Sequence, residues 1–390
     1  MNFKNKKLFS FILTLVMLLG IFMGPVQNVV EASGTDSVNL TILGTTDVHG
    51  NIFWNYEDNK ELGDKGLANI YTYVKEVREE NPNTLLIDNG DTIQGTILTD
   101  DLYNKKPDEA HPMIDVFNFM GYDAMTLGNH EFNFGIDLIK KIESEAEFPI
   151  LAANVTYKSD GSYLVEPYTI KEVAGLKVGI IGLTNPNAPR WDGEKVADLE
   201  FENMADAAEK QVKEIKDKVD IIVATAHASF GEEYGEDGAK EIVERCPEIA
   251  ALLIGHEHIA VNEKIGNTVI AGTQSEGKQV ARLDLSLKKD KDAWNVTDSK
   301  VEIVETKDFE PSSEIIEHAK KYHDETMKFI TKPLGKATGD FQPVDEVPGI
   351  PEGQIRDTAV IDLINEVQLK NTGADISSAA LFKFDSNLKK

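Results

Sequence analysis

The sequence predicts an α/β fold: an α+β four-layer sandwich of two mixed β-sheets flanked by helices, with an incomplete second domain after it. Three observations predict it. Short apolar runs at 84–88, 220–226 and 249–254 have the length of buried strands, and stretches with apolar residues at helical spacing lie between such runs. Over the first part of the chain, strand and helix patterns alternate, the order of helices packed on a sheet. From residue 168 onward, tight turns at Ala174-Gly175 and Gly266-Asn267 join neighbouring strand-like runs. Antiparallel pairs are therefore mixed with parallel ones, and a purely parallel sheet is excluded.

Taken in order, Val38 to Leu43 alternates as a strand does, and a loop runs from Gly44 to His49. Gly66 through Val77 is helical until Asn81-Pro82-Asn83 stops it. Thr84 to Asp88 is a buried strand followed by the loop Asn89-Gly90-Asp91. Pro112 to Met120 reads as a helix, Tyr122 to Leu127 as a short strand, and an amphipathic helix opens after Asn133. Phe148 to Asn154 is another strand, and the runs 168–173 and 177–183 form a hairpin. Glu202 to Lys216 is helical, and strands at 220–226 and 249–254 end at His227 and at Gly255-His256-Glu257-His258. The runs 261–265 and 269–271 pair, and 280–287 and 294–304 add antiparallel edges. A helix begins at Ser312 or Ser313, runs to about Ile330 and is closed by Pro333; Asp357 to Leu369 is the last.

A chain of 390 residues, 41% hydrophobic, has room for one large domain and part of another. Lys4, Lys6 and Lys7, the apolar segment 8–23 and the small-x-small site Val30-Glu31-Ala32 read as a signal peptide over 1–32. The apolar run is short for a membrane anchor and Pro25 breaks it, and no cysteine near the cleavage point offers a lipid attachment. The expectation is export, secreted, periplasmic or cell-wall associated, with no stable membrane insertion after cleavage. A formal net charge of −27 excludes polymeric nucleic acid as a partner, although a small phosphorylated substrate can bind where local cations overrule the global field. The single cysteine, Cys246, can form no internal disulfide and reads as structural.

Ligand-type residues recur in the loops that follow strands: Asp47-x-His49, Asp91, Asn129-His130, His227 and His256-x-His258. These loops hold five of the eight histidines; His111, His318 and His323 read as surface or packing residues. An x-separated pair at the end of an extended segment can aim both side chains at one ion. One carboxylate, Asp91, can bridge two cations. Mixed nitrogen and oxygen donors suit Zn, Mn, Fe or Co over Mg or Ca, and paired cations can clamp the attacking and leaving oxygens of a phosphoryl transfer. Each motif alone has an ordinary reading as a turn, cap or core residue. Their order, each closing an apolar strand, points to a dinuclear centre.

The words Thr45-Thr46-Asp47-Val48-His49, Asn83 through Asp91, Gly121-Tyr122-Asp123-Ala124, Gly128 through Asn133, His227 and Gly255-His256-x-His258 resemble the calcineurin-like metallophosphoesterases. Within them they resemble the 5′-nucleotidase family, and most closely its 2′,3′-cyclic-nucleotide 2′-phosphodiesterase/3′-nucleotidase branch. The resemblance implies two divalent ions, one on Asp47, His49, Asp91 and His258, the other on Asp91, Asn129, His227 and His256. It implies a metal-bridging hydroxide as nucleophile, His130 as proton donor to the leaving oxygen, and a nucleotide as the small-molecule substrate. Many relatives place an Asp three residues after that histidine; here the position is Asn133, which orients the ring but supplies no charge. The implied organisation is a catalytic domain over 33–310, an interdomain helix over 311–332, and over 333–390 the start of a truncated substrate-binding domain. Arg356, Phe382 and Phe384 receive no role in gripping substrate. Two other functions stay open: a 5′-nucleotidase or UDP-sugar hydrolase, and a metal-binding remnant that turns over no nucleotide.

Overall fold

The computed structural model describes residues 37–236, 238–291, 293–341 and 344–380. The segment 1–32 expected to be a signal peptide, Phe382 and Phe384 lie outside them. The chain divides into two compact units between His323 and Asp324.

Twelve strands build the two large sheets of the first unit: β1 (Ser37–Thr45), β2 (Thr84–Asp88), β3 (Ala124–Thr126), β4 (Ile150–Leu151), β5 (Tyr168–Val173), β6 (Leu176–Leu183), β7 (Ile221–Ala226), β8 (Ile249–Ile254), β9 (Val261–Ile265), β10 (Thr268–Gly272), β11 (Gln279–Asp290) and β12 (Ala293–Glu305). The first sheet has the order β12-β11-β1-β2-β3-β4, and the second β9-β10-β8-β7-β6-β5. In the first, β1 to β4 run parallel and β11 and β12 add an antiparallel edge. In the second, β6, β7, β8 and β10 are parallel, with β5 and β9 antiparallel at the two edges. Both sheets are thus mixed, as the turn chemistry at 174–175 and 266–267 requires. The predicted strand 148–154 is shorter than expected, because after Leu151 the backbone turns away to pair elsewhere: Ala152 N–H bonds to Glu166 O and Ala153 N–H to Gly182 O.

The sheets pack face to face. Leu40, Ile42, Leu85 and Ile87 of the first meet Val178, Ile180, Val223 and Leu253 of the second in one buried cluster. Period-two alternation then turns Leu86, also fully buried, to the opposite face of its sheet. On the outer face of the second sheet, Met204, Ala208, Val212 and Ile215 of a helix at Met204–Ile215 pack with Ile242 and Val243 of another at Ala239–Arg245. Apart from the smaller Ala208, each such side chain contributes roughly 1.5–3 kcal/mol when fully buried. Cys246 lies in the same cluster, where burial, then the Glu209 charge, pushes its thiol up to about 11; it is a packing residue.

The helix Pro112–Met120 begins at a buried histidine rather than a surface one. His111 is its N-cap: Nδ1 accepts from Met113 N–H at 3.3 Å, and Nε2–H donates to Asn104 Oδ1 at 2.8 Å. Only the neutral ring can do both. Burial, then the Lys141 charge, pushes its pKa down to about 3. The unfolded chain therefore takes up a proton near pH 6.5 that the folded one refuses, and stability present above that pH is lost on acidification toward 3, at up to about 1.4 kcal/mol per pH unit. His111→Asn, which keeps a cap, is expected to remove this slope from the melting temperature measured against pH; an unchanged acid limb would refute it.

The helix Ser313–Ile330 starts in the first unit and ends in the second. Its first half is part of the first unit's core: Ile315, Ala319 and Tyr322 are buried, and Tyr322 O–H donates to Asp115 at 2.6 Å. In the second unit a helix spans Ala359–Thr372 and ends on Gly373 at φ 70°, a left-handed position suited to glycine. Arg356 there bonds Glu352 at 2.7 Å and Glu346 at 3.1 Å.

Candidate active site

Every site residue expected from the sequence follows the carboxyl end of a parallel strand. Asp47 and His49 follow β1, Asp91 follows β2, Asn129, His130 and Asn133 follow β3, His227 follows β7, and His256 and His258 follow β8. In sheets with parallel strands this edge is where ligands bind, and here two such edges converge. Asp47, His49, Asp91, His256 and His258 all adopt left-handed backbone, with φ between 46° and 74°. Such conformations cost of order 1–3 kcal/mol each for non-glycine residues and persist where the surroundings over-determine them. The surroundings do so here: Asp47 N–H bonds to Gly90 O at 2.9 Å and His49 N–H to Asp91 O at 3.0 Å, zipping two loops together. Glycine is required beside them. A Cβ on Gly90 would run into the backbone of Gly128, and one on Gly255 would strike the Thr46 hydroxyl.

The side chains gather in two groups, Asp47 with His49 and His258, and Asp91 with His227 and His256; within each group the donor atoms lie within 4.8 Å of one another. His258 Nε2 is 3.2 Å from Asp47 Oδ1, and His227 Nε2 is 3.1 Å from Asp91 Oδ2 and 3.8 Å from Asp47 Oδ1. Despite these distances, Asp47 Oδ1, Asn129 Oδ1 and His227 Nε2 are buried and make no hydrogen bond. The opposite ring nitrogens are engaged: His49 Nδ1 meets Gln94 O at 2.9 Å and His227 Nδ1 meets Asn89 O at 2.6 Å. A carbonyl accepts, so each Nδ1 carries a proton and each Nε2 is turned to the centre, where it can donate electrons to a cation that displaces any proton held there. His49 Nε2 and His258 Nε2 face each other at 3.2 Å.

The charges respond to this crowding. Burial alone would favour neutral acids and a neutral ring; the mutual attraction wins. His227 is pushed up to about 10 by the Asp91 and Asp47 carboxylates against its burial. Asp47 and Asp91 are both held below the usual carboxylate range, again against burial, chiefly by His227. Buried donors with no hydrogen bond, oriented imidazoles and paired carboxylates are a donor set that fits divalent cations.

His130 stands outside both groups. Its Nε2 is 3.9 Å from Asp91 Oδ2, its side chain is 35% exposed, and its Nδ1 meets Asn133 Oδ1 at 2.6 Å.

Two contributors escaped the sequence reading of individual roles. Glu131, fully buried, accepts from the N–H groups of Asp91, Thr92, Ile93 and Gly128 at 2.7–3.2 Å and so ties the Asp91 loop to the Asn129 loop. Burial, then the Asp91 charge, raises its carboxyl, and the N–H groups of Thr92 and Asp91 pull it back. Asp88 accepts from the hydroxyls of Thr45 and Thr92, both at 2.6 Å, and from Gly90 N–H at 2.9 Å, and burial raises it to about 7. Glu131 carried one usable signal, an acidic residue inside a glycine-flanked motif with no Lys or Arg close by in sequence.

Fold and side chains together are those of a calcineurin-like phosphoesterase domain with two groups of metal-ligand-type residues. The chain belongs to the calcineurin-like phosphoesterases, whose family pattern matches residues 40–260. It is 29% identical over 391 residues to the trifunctional nucleotide phosphoesterase protein YfkN of Bacillus subtilis, covering 90% of this chain and 26% of that one. The crystal structure of the calcineurin-like phosphoesterase YfkN superposes with a TM-score of 0.72 at 31% identity, covering 76% of this chain and all of the solved one. A Haemophilus influenzae 2′,3′-cyclic-nucleotide 2′-phosphodiesterase/3′-nucleotidase is 29% identical, covering 86% of this chain and 56% of that one. Rat 5′-nucleotidase is 38% identical over 207 residues, 50% of this chain and 34% of that one. The chain thus spans about half the length of the Haemophilus relative and about a quarter of YfkN.

Proposed function

We propose that this chain is an exported phosphoesterase that hydrolyses 2′,3′-cyclic nucleotides and 3′-nucleotides with two divalent ions, Mn, Zn, Fe or Co. The observation that carries the reading is the set of buried atoms without hydrogen bonds, Asp47 Oδ1, Asn129 Oδ1 and His227 Nε2, amid two groups of ligand-type side chains. Asp47, His49, Asp91 and His258 would hold one ion and Asp91, Asn129, His227 and His256 the other. When bound, such a pair supplies an acidified water and neutralises phosphoryl charge. His130, with Nδ1 directed to Asn133, presents Nε2 toward the same centre and donates a proton to the leaving oxygen. Residues 33–310 form the catalytic domain, 311–332 the connecting helix, and 333–390 belong to a substrate-binding domain.

An aromatic shelf supports a substrate with a planar base. Trp191 is 40% exposed, its ring 5.5 Å from that of His256 and 6.2 Å from that of Tyr234, over which Arg190 lies at 4.4 Å. Stacking of a base on such a face is worth about 1–3 kcal/mol. Trp191→Ala is therefore expected to raise KM for adenine nucleotides about tenfold while leaving KM for a baseless sugar phosphate unchanged; equal effects on both would remove the shelf from the argument.

The reading is tested by assaying 2′,3′-cyclic AMP, 3′-AMP and 5′-AMP side by side with Mn or Zn added. The similarity to rat 5′-nucleotidase favours 5′-AMP as the competing substrate, and preferential turnover of it would move the assignment there. Failure to hydrolyse even para-nitrophenyl phosphate esters would favour a metal-binding protein without turnover.

A further inference from the structure

We propose that Asp192 is a positioning residue that supplies, through Asn133, the negative charge behind the His130 imidazole. The inference rests on the reading of His130 as proton donor. Asp192 closes a short helix at Ala188–Asp192, and its side chain is 2% exposed. Asn133 Nδ2 donates to both of its carboxylate oxygens, each at 3.1 Å. A carboxylate only accepts, so the amide nitrogen must face Asp192 and the amide oxygen must face His130. The orientation of Asn133 is thereby settled by its partners. The chain runs from His130 Nδ1–H to Asn133 Oδ1 at 2.6 Å, then from Asn133 Nδ2–H to Asp192. Polarising an amide at its nitrogen end strengthens its oxygen as an acceptor, because linked hydrogen bonds reinforce one another.

Asp192 is not left as a bare buried charge. Lys195 Nζ lies 3.5 Å from its Oδ1 and donates to Asn133 O at 2.6 Å, which pins the same loop from its backbone. The lysine is half exposed, so solvent screens it more than it screens the carboxylate. A neutral residue at position 133 thus retains an anion one hydrogen bond further out.

The test separates charge from shape. Asp192→Asn is nearly isosteric, and its Oδ1 can still accept from Asn133, so geometry survives while charge is lost. For 2′,3′-cyclic AMP and 3′-AMP, kcat is expected to fall about 10- to 100-fold with little change in KM. For para-nitrophenyl phosphate, whose leaving group departs without a proton, the fall is expected to be a few-fold at most. Asn133→Asp alone should also be impaired, since two carboxylates would then face each other. The double change Asn133→Asp with Asp192→Asn moves the charge one position inward and should restore kcat to within a few-fold of the parent. In the zinc-loaded full chain, the downfield proton resonance of His130 Nδ1–H should move upfield in Asp192→Asn and return in the double variant. Equal losses on both leaving-group classes, or a double variant no better than Asp192→Asn, would overturn the proposal. Should the parent hydrolyse no ester, the proposed function fails on its own, and the proton resonance alone decides whether Asp192 acts on His130.

Discussion

Replacing Asp91 with Asn is expected to abolish hydrolysis and lower bound metal together, by more than the 10- to 100-fold typical of outer-shell changes. Asp91 Oδ1 already accepts from His130 N–H at 2.7 Å, and its Oδ2 faces His227 Nε2 at 3.1 Å. An amide must set its NH2 against one of these. Turned toward His130 it opposes one donor with another; turned toward His227 it loses the charge that the cage is built around. The effect is large because the site is dry: Asp91 and His227 are 0–1% exposed, and a buried charge left without its partner is strongly destabilising. Turnover and metal content measured on the same preparation check it. Unaltered turnover would defeat the dinuclear assignment, whereas lost turnover with full metal content would reduce Asp91 to a charge-shaping role.

His130→Ala is expected to lower kcat on nucleotides by about 10²- to 10⁴-fold, the range for a positioned general acid, with metal content unchanged. The ring belongs to neither ligand group and is directed by the side-chain amide of Asn133 rather than by a backbone carbonyl. Loss of the proton donor should therefore fall on the departing alkoxide and spare the ions. The ratio of kcat on 3′-AMP to kcat on para-nitrophenyl phosphate reads this directly. A variant that loses metal in proportion to activity would make His130 a ligand, and one that loses both substrates equally would leave it a role in binding.

Much of the architecture was legible because buried strands write themselves as apolar runs. The strand Thr84–Asp88 and the helix Pro112–Met120 lie where the pattern puts them, the latter bounded by Pro112 at its first turn and Gly121 in left-handed conformation at φ 70°. The short helices Ala188–Asp192 and Ala239–Arg245 were not legible, since five and seven residues are too few to display helical periodicity. Of the histidines outside the strand-end loops, His111 reads in sequence like His318, yet only His111 is wholly buried and held neutral.

Residue type and local periodicity were enough to show which loops end strands and which of them carry Asp, Asn and His, because neither needs a partner to be read. Which atoms meet was settled by the packing of the two sheets. Asn133 and Asp192 stand 59 positions apart, and Asp47 and His258 reach one another from different sheets. The orientation of an amide, the proton-bearing nitrogen of an imidazole and the loss of every hydrogen bond at a buried oxygen are properties of pairs. They come into being when the sheets close on each other and water leaves, and no window of sequence contains them.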